Sequence, residues 1–251
     1  FKGGGYLIRR LLRDFILAIV MVCAAFVLVH TLLGERLDNS PVKAVSEWSR
    51  DRAVANRVSQ LDGTVTATLR VMDLEPEILV EWQNENPESV LRRLWNMDPA
   101  NQKNASVIAL YILHQNRNVD PLTAWREAVS FVHYSRKYDV PLTLAVAVGN
   151  TESHFDPEAR SSYGAAGVMQ VVWRVHSHLL MAHAGLKAEG DLYHPEKGIS
   201  AGILLLSRYM KAYGSTKRAL GRYCGGGMDR YWAKVNRGIK QVVSYGLNPE
   251  I

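Results

Sequence analysis

From Phe15 to Gly34 the chain runs for 20 residues without a formal charge, FILAIVMVCAAFVLVHTLLG. About 20 apolar residues are what a helix needs to cross the hydrocarbon core of a bilayer. Arg9, Arg10 and Arg13 precede the run, with Lys2 further back, and Glu35, Arg36 and Asp38 follow it. The excess of Lys/Arg before the run puts residues 1–14 in the cytoplasm and the rest of the chain outside it. A cleaved signal peptide is the competing reading, but its apolar region is usually about 7–15 residues. No small-residue cleavage site follows this one, and Val20-Met21-Val22-Cys23 lacks the small residue a lipoprotein site needs before its cysteine. The expectation is an uncleaved single-pass membrane anchor over 15–34.

Charge is unevenly distributed around that anchor. The net charge of +6 is made of +3 in residues 1–14, −2 in 15–139 and +5 in 140–251. A basic C-terminal part suits an anionic polymer or a membrane surface. No nucleic-acid recognition motif or basic–aromatic stripe accompanies it, so nucleic acid is not expected as a partner. Cys23 lies in the apolar run and Cys224 in a Gly-rich loop, which gives no disulfide framework. No cofactor or metal-ligand set is expected. His176, His178 and His183 lie close in sequence, but without a carboxylate set or Cys pair they read as surface or packing residues.

Residues 35–118 read as a helical, mostly polar juxtamembrane region of unknown role. Val42, Val45, Trp48, Arg52, Ala55 and Val58 recur at three- and four-residue steps and predict an amphipathic helix from Pro41 to Leu61, broken at Gly63-Thr64. Thr64 to Met72 alternates enough to predict a short strand. Short helices are expected at Glu77–Gln83, at Pro87–Trp95 with Asn86 as cap, and at Ala105–Gln115.

Residues 119–251 read as a separate helical domain. Asp120-Pro121 is a helix start, with Asp as cap and Pro in the first turn. Leu122, Trp125, Val129 and Val132 mark its buried face. Leu142 to Val148 (LTLAVAV) is nearly all apolar, and periodicity alone would allow a strand. Pro141 at its start and Asn150-Thr151-Glu152-Ser153 at its end favour a buried helix, and Pro157 forbids continuation beyond about Asp156. Glu152 then sits at a helix C-terminus. Desolvation and the negative end of the helix dipole both favour its neutral acid, and a carboxyl that keeps its proton near neutral pH can act as a general acid. A solvated helix-end glutamate is the plain alternative. Gly164-Ala165-Ala166-Gly167 follows, almost free of side chains, and would let backbone amides approach a ligand closely.

The segment ESHFDPEARSSYGAAGVMQ resembles the signature of lytic transglycosylases of the soluble-lytic-transglycosylase (SLT) type, of the goose-lysozyme-like superfamily. Glu152, Ser153, Phe155, Pro157, Ala159, Ser161, Gly164, Ala165, Gly167, Met169 and Gln170 match in register, with Val168 in place of Leu. Looser matches are His194 to Gly202, with Gly198 where the family has Asn, and Ala219 to Gly226, with Cys224 where it has Asn. The resemblance covers about residues 120–245. It implies a lysozyme-like α domain that cleaves the MurNAc–GlcNAc β-1,4 bond of peptidoglycan without water, leaving 1,6-anhydro ends. It implies Glu152 as the acid/base, Ser161, Gln170, Tyr223, Met169 and Val172 as saccharide contacts, and Tyr223 as the tyrosine whose hydroxyl lies by the glutamate. Asp156 reads as a turn residue beside Pro157. Two alternatives remain open: a hydrolytic lysozyme on the same fold, or a catalytically weak wall-binding or scaffold module serving an envelope machine.

Overall fold

The computed structural model describes residues 41–248, together with Met21. The expected membrane span at 15–34 and the arm before it therefore lie outside the described residues, Met21 apart. Among the described residues no helix is long and apolar enough to cross a membrane. The chain divides into two compact units, residues 1–55 and 56–251.

The first described helix, α1, runs Pro41–Val58. Its helical spacing is as the sequence predicts, but from Trp48 to Ala55 the expected apolar stripe is exposed, Trp48 by 61%. Arg52 lies over the Trp48 ring at 5.2 Å.

Helix α2 (Gly63–Val71) corrects the strand expected over Thr64–Met72. Asp62 caps it, its carboxylate accepting from Thr64 N at 2.8 Å and Thr64 Oγ1 at 2.7 Å. Val65, Thr68 and Leu69 are its buried residues, a three- and four-residue step that the β-branched content of TVTATLRV disguises. Propensity is a weak prior, and the capped start with tertiary burial of one helical stripe overrides it. Helix α3 follows at Pro76–Glu85. A 3-10 helix spans Val90–Asn96, with Ser89 as its cap. Asn86, expected to open that helix, instead closes α3, its backbone N–H donating to Trp82 O. Helix α4 (Pro99–Gln115) starts earlier than expected because Asp98 caps it, accepting from Asn101 N at 2.8 Å.

Helix α5 (Pro121–Tyr138) begins at the Asp120 cap as read, with Trp125, Val129 and Val132 fully buried or nearly so. Helix α6 (Leu142–Ser153) resolves the ambiguous LTLAVAV run as a helix whose residues 142–150 are all buried. The remaining elements are a two-residue hairpin, β1 (Ala165–Ala166) antiparallel to β2 (Val171–Val172), then α7 (Trp173–His183), a 3-10 helix (Glu189–Tyr193), α8 (Pro195–Tyr213), α9 (Thr216–Tyr223) and α10 (Met228–Ser244).

One hydrophobic core runs through residues 61–247, from Leu61, Leu69 and Leu94 to Val235 and Leu247. The helices of 63–115 contribute to the same core as the later ones, so packing shows no seam at 118/119. A buried polar clasp ties the two parts. Glu196 at the start of α8 accepts from Ser89 Oγ at 2.6 Å, Val90 N at 2.8 Å and Arg126 Nε at 3.1 Å.

Candidate active site

Helix α6 ends abruptly just beyond Glu152. His154 and Phe155 both take left-handed backbone angles, φ 52° and 63°. Two such residues in succession are uncommon for side chains with a Cβ, and the turn is held by packing. The Phe155 ring is fully buried, edge-on to Tyr111 and to Phe131, each at 5.9 Å. Ser153 Oγ donates to Val168 O at 2.8 Å and accepts from Asp156 N at 3.1 Å. Asp156 Oδ1 accepts from Glu158 N at 2.9 Å, the turn role read for it. The chain is thereby deflected, and Glu152 stands at the open end of a buried helix.

A cleft of about 630 Å³ opens there, lined by Thr151, Glu152, Ser161, Tyr163, Ala165, Gln170, Val172, Tyr223, Cys224, Gly225, Tyr231 and Lys234. Its size suits a small ligand or one segment of a polymer. Glu152 is the single carboxylate among these residues. Burial raises its pKa, while a hydrogen bond from Tyr231 and the Lys234 charge pull it back. The Tyr231 hydroxyl donates to Glu152 Oε1, and burial, then the glutamate charge, hold that phenol protonated.

Ser161, Gln170, Val172 and Tyr223 line the cleft with Glu152. Ser161 is also a turn hydroxyl, accepting from Ala165 N at 3.0 Å, which leaves its own proton available to a ligand. Gln170, at φ 47°, donates its amide to Ala159 O and Gly167 O at 3.0 and 3.1 Å. Toward the cleft it therefore offers mainly an acceptor.

Met169, expected as a saccharide contact, is a correction. Its side chain is fully buried against α8, where a Cβ on Gly202 would lie 2.3 Å from Met169 Cβ. It packs the hairpin onto the core and does not line the cleft. Only its carbonyl acts near the site, accepting from Tyr223 Oη at 2.8 Å. Tyr223 thus has its hydroxyl committed to the backbone, and the hydroxyl on the glutamate belongs to Tyr231.

The Gly/Ala run is corrected in part. Ala165 does line the cleft, but Gly167 (φ 73°) serves the protein's own packing. A Cβ there would stand 2.0 Å from Leu192 O, and one on Gly198 2.5 Å from the same carbonyl. The backbone approach inferred for a ligand is taken up by the 3-10 turn at Leu192.

Tyr231, Lys234 and Thr151 were missed. Tyr231 and Lys234 are three residues apart on α10, hence on one face. Tyr231 also continues the stripe of Val235, Gly238 and Val242, all buried. That periodicity was readable, but nothing local shows that α10 crosses beside α6. A Cβ on Gly238 would lie 3.2 Å from Ala147 Cβ, so the two helices pack closely. Cys224 is half-buried in the cleft wall, its thiol donating to Gly226 O at 2.6 Å. Of the three histidines, His176 packs edge-on against Tyr209.

Residues 130–242, which hold every residue of this cleft, match the family model for the Transglycosylase SLT domain. Over that stretch the chain is similar to the SLT family. The chain is 25% identical to the soluble lytic murein transglycosylase of Escherichia coli (strain K12) over 119 residues, 46% of this chain and 18% of that protein. It is 33% identical over 76 residues to the membrane-bound lytic murein transglycosylase C of Glaesserella parasuis, covering 29% and 21% of the two chains. It is 28% identical over 124 residues to a transglycosylase of Enterobacteria phage PRD1, covering 49% and 43%. The chain spans about a fifth of the length of the curated relatives it first matches. Among solved structures it aligns with the 70 kDa soluble lytic transglycosylase of Escherichia coli at TM-score 0.40 and 16% identity, over 81% of this chain and 43% of that one.

Proposed function

We propose that this chain is a lytic transglycosylase that cleaves the MurNAc–GlcNAc β-1,4 bond of peptidoglycan and leaves 1,6-anhydroMurNAc ends. The observation that carries the reading is the lone, desolvated carboxyl in the cleft. Retaining and inverting glycosidases need two carboxylates at set separations, and among the residues lining this cleft Glu152 has no second acid to work with. A substrate that supplies its own nucleophile removes that requirement. Glu152 gives its proton to the glycosidic oxygen as the C1–O bond breaks. The muramic C6 hydroxyl then attacks C1, and its proton returns to Glu152, so the acid is restored without water. The substrate N-acetyl group offers an acceptor to the positive charge at C1. Tyr231 orients the carboxyl, and Ser161, Gln170 and Val172 form the wall against which the sugars lie.

The proposal includes a single-pass anchor over residues 15–34, with residues 1–14 in the cytoplasm and the SLT domain in the periplasm. The charge bias around the apolar run supports this topology, as does the similarity to relatives named as membrane-bound.

Mass spectrometry of muropeptides released from sacculi, with wild type and Glu152→Gln side by side, tests the chemistry. Anhydro ends are expected from the wild type and none from the variant. Reducing muramic ends without anhydro sugars would instead mean a hydrolase. A wild type that binds sacculi and releases nothing would point to a wall-binding module, with Cys224 in place of the family Asn as the first suspect.

A further inference from the structure

A second cavity, of about 420 Å³, lies between the 3-10 helix of 90–96 and α5, and it shares no residue with the Glu152 cleft. Its walls are Arg93, Asn96, Met97, Val132, His133, Arg136 and Lys137. Two arginines and a lysine from two different elements thus border one void, and Arg92 adds its charge nearby.

Little on the protein offsets them. The carboxylate beside the cavity is Asp98, 3.6 Å from Arg136 Nη1 and 53% exposed. Asp98 is already engaged by Asn101 N and Asn101 Nδ2 at 2.8 and 2.7 Å. Among the described residues Arg93 and Lys137 have no carboxylate within ion-pair distance. Lys137 Nζ is held over the Tyr138 and Tyr134 rings at 5.1 and 5.6 Å, so its charge is fixed at the rim. His133 reports the resulting field. Burial first, then Arg93, Lys137, Arg136 and Arg92, push its pKa down to about 4, and no carboxylate opposes them.

We propose that this cavity is a binding site for a phosphate group, carried by a phospholipid headgroup or by a small phosphoester. Arginine forks on two elements, with a lysine at the rim, suit a tetrahedral oxyanion that accepts from several directions. Met97 and Val132 supply an apolar edge for the carbon side of an ester.

His133 is the probe for the test. The full chain is held in a phosphate-free maltoside detergent, and the His133 imidazole is titrated by NMR. The other seven of the 8 histidines serve as internal references. One arm adds inorganic phosphate at constant ionic strength set with chloride. The other dopes the micelles with phosphatidylglycerol. A bound anion should raise the His133 pKa by about one unit, because an opposite charge at close range favours the charged form. The rise should vanish in Arg93→Gln/Arg136→Gln, both exposed positions whose loss leaves the core intact. A rise with phosphate supports the site, and a rise with the lipid alone supports it with a headgroup as the source. No rise in either arm, or an equal rise in the double variant, overturns it.

Discussion

Arg126→Met tests whether residues 56–118 are part of the fold that holds the cleft or a separate layer. Arg126 and Glu196 are 10% and 4% exposed at their side chains and meet at 3.1 Å. The guanidinium also lies over the Trp82 ring at 4.6 Å and donates to His194 Nε2 at 3.1 Å. Methionine keeps most of the stem volume over Trp82 and removes the charge. Removing one partner of a buried pair costs about 3–5 kcal/mol, because the other charge stays buried. Glu196 retains Ser89 Oγ and Val90 N as donors, so the loss should fall near the lower end, about 3 kcal/mol. For a unit of this size that lowers Tm by about 6–12 °C, at about 2–4 °C per kcal/mol. Urea and thermal unfolding of the full chain in mild detergent measure it. The double variant Arg126→Met/Glu196→Leu should be less damaged than the sum of the singles by at least about 1 kcal/mol. A loss below about 1 kcal/mol, additive single losses, or an early separate transition of the helices from 63 to 115 would refute the clasp.

Three further outcomes follow from the site. Tyr231→Phe removes the donor that favours ionised Glu152, so the Glu152 pKa should rise further. The active form of the acid is protonated and is lost as pH rises through that pKa, so the alkaline limb of the kcat/KM profile should move to higher pH while kcat falls. An unmoved limb would mean that Tyr231 does not act through Glu152. Gly167→Ala places a methyl group at φ 73° and 2.0 Å from Leu192 O. We expect at least about 2 kcal/mol of destabilisation in chemical denaturation, whereas Gly164→Ala, with open space around it, should cost less. In a Cys23→Ser background, a bulky maleimide should label Cys224 and block digestion of sacculi. Labelling that leaves digestion intact would remove Cys224 from the substrate path.

Much of the site was legible because its parts are local. The Pro141 and Pro157 boundaries, the apolar run between them and the polar end at Glu152 fix a buried helix and a carboxyl at its mouth. The asparagine and aspartate caps were less secure. Asp120 was read correctly, but Asn86 faces a Pro and could as well close a helix as open one. The residues of 64–72 misled because alternation over so few positions cannot separate a strand from a helix whose buried stripe repeats at three and four.

Sequence alone placed Glu152 at the C-terminal end of a buried helix, where desolvation and the helix dipole both favour the neutral acid. It also determined the register of Ser161, Gly167 and Gln170 behind that residue. Only tertiary structure decided which hydroxyl touches the glutamate. Tyr223 and Tyr231 are eight residues apart, and the choice depends on how close α10 approaches α6, which Gly238 permits by having no side chain. Tertiary structure likewise turned Met169 and Gly167 from ligand contacts into packing. Whether a backbone gap is filled by a sugar or by Leu192 O depends on where a segment 25 residues later returns, and no local pattern encodes that.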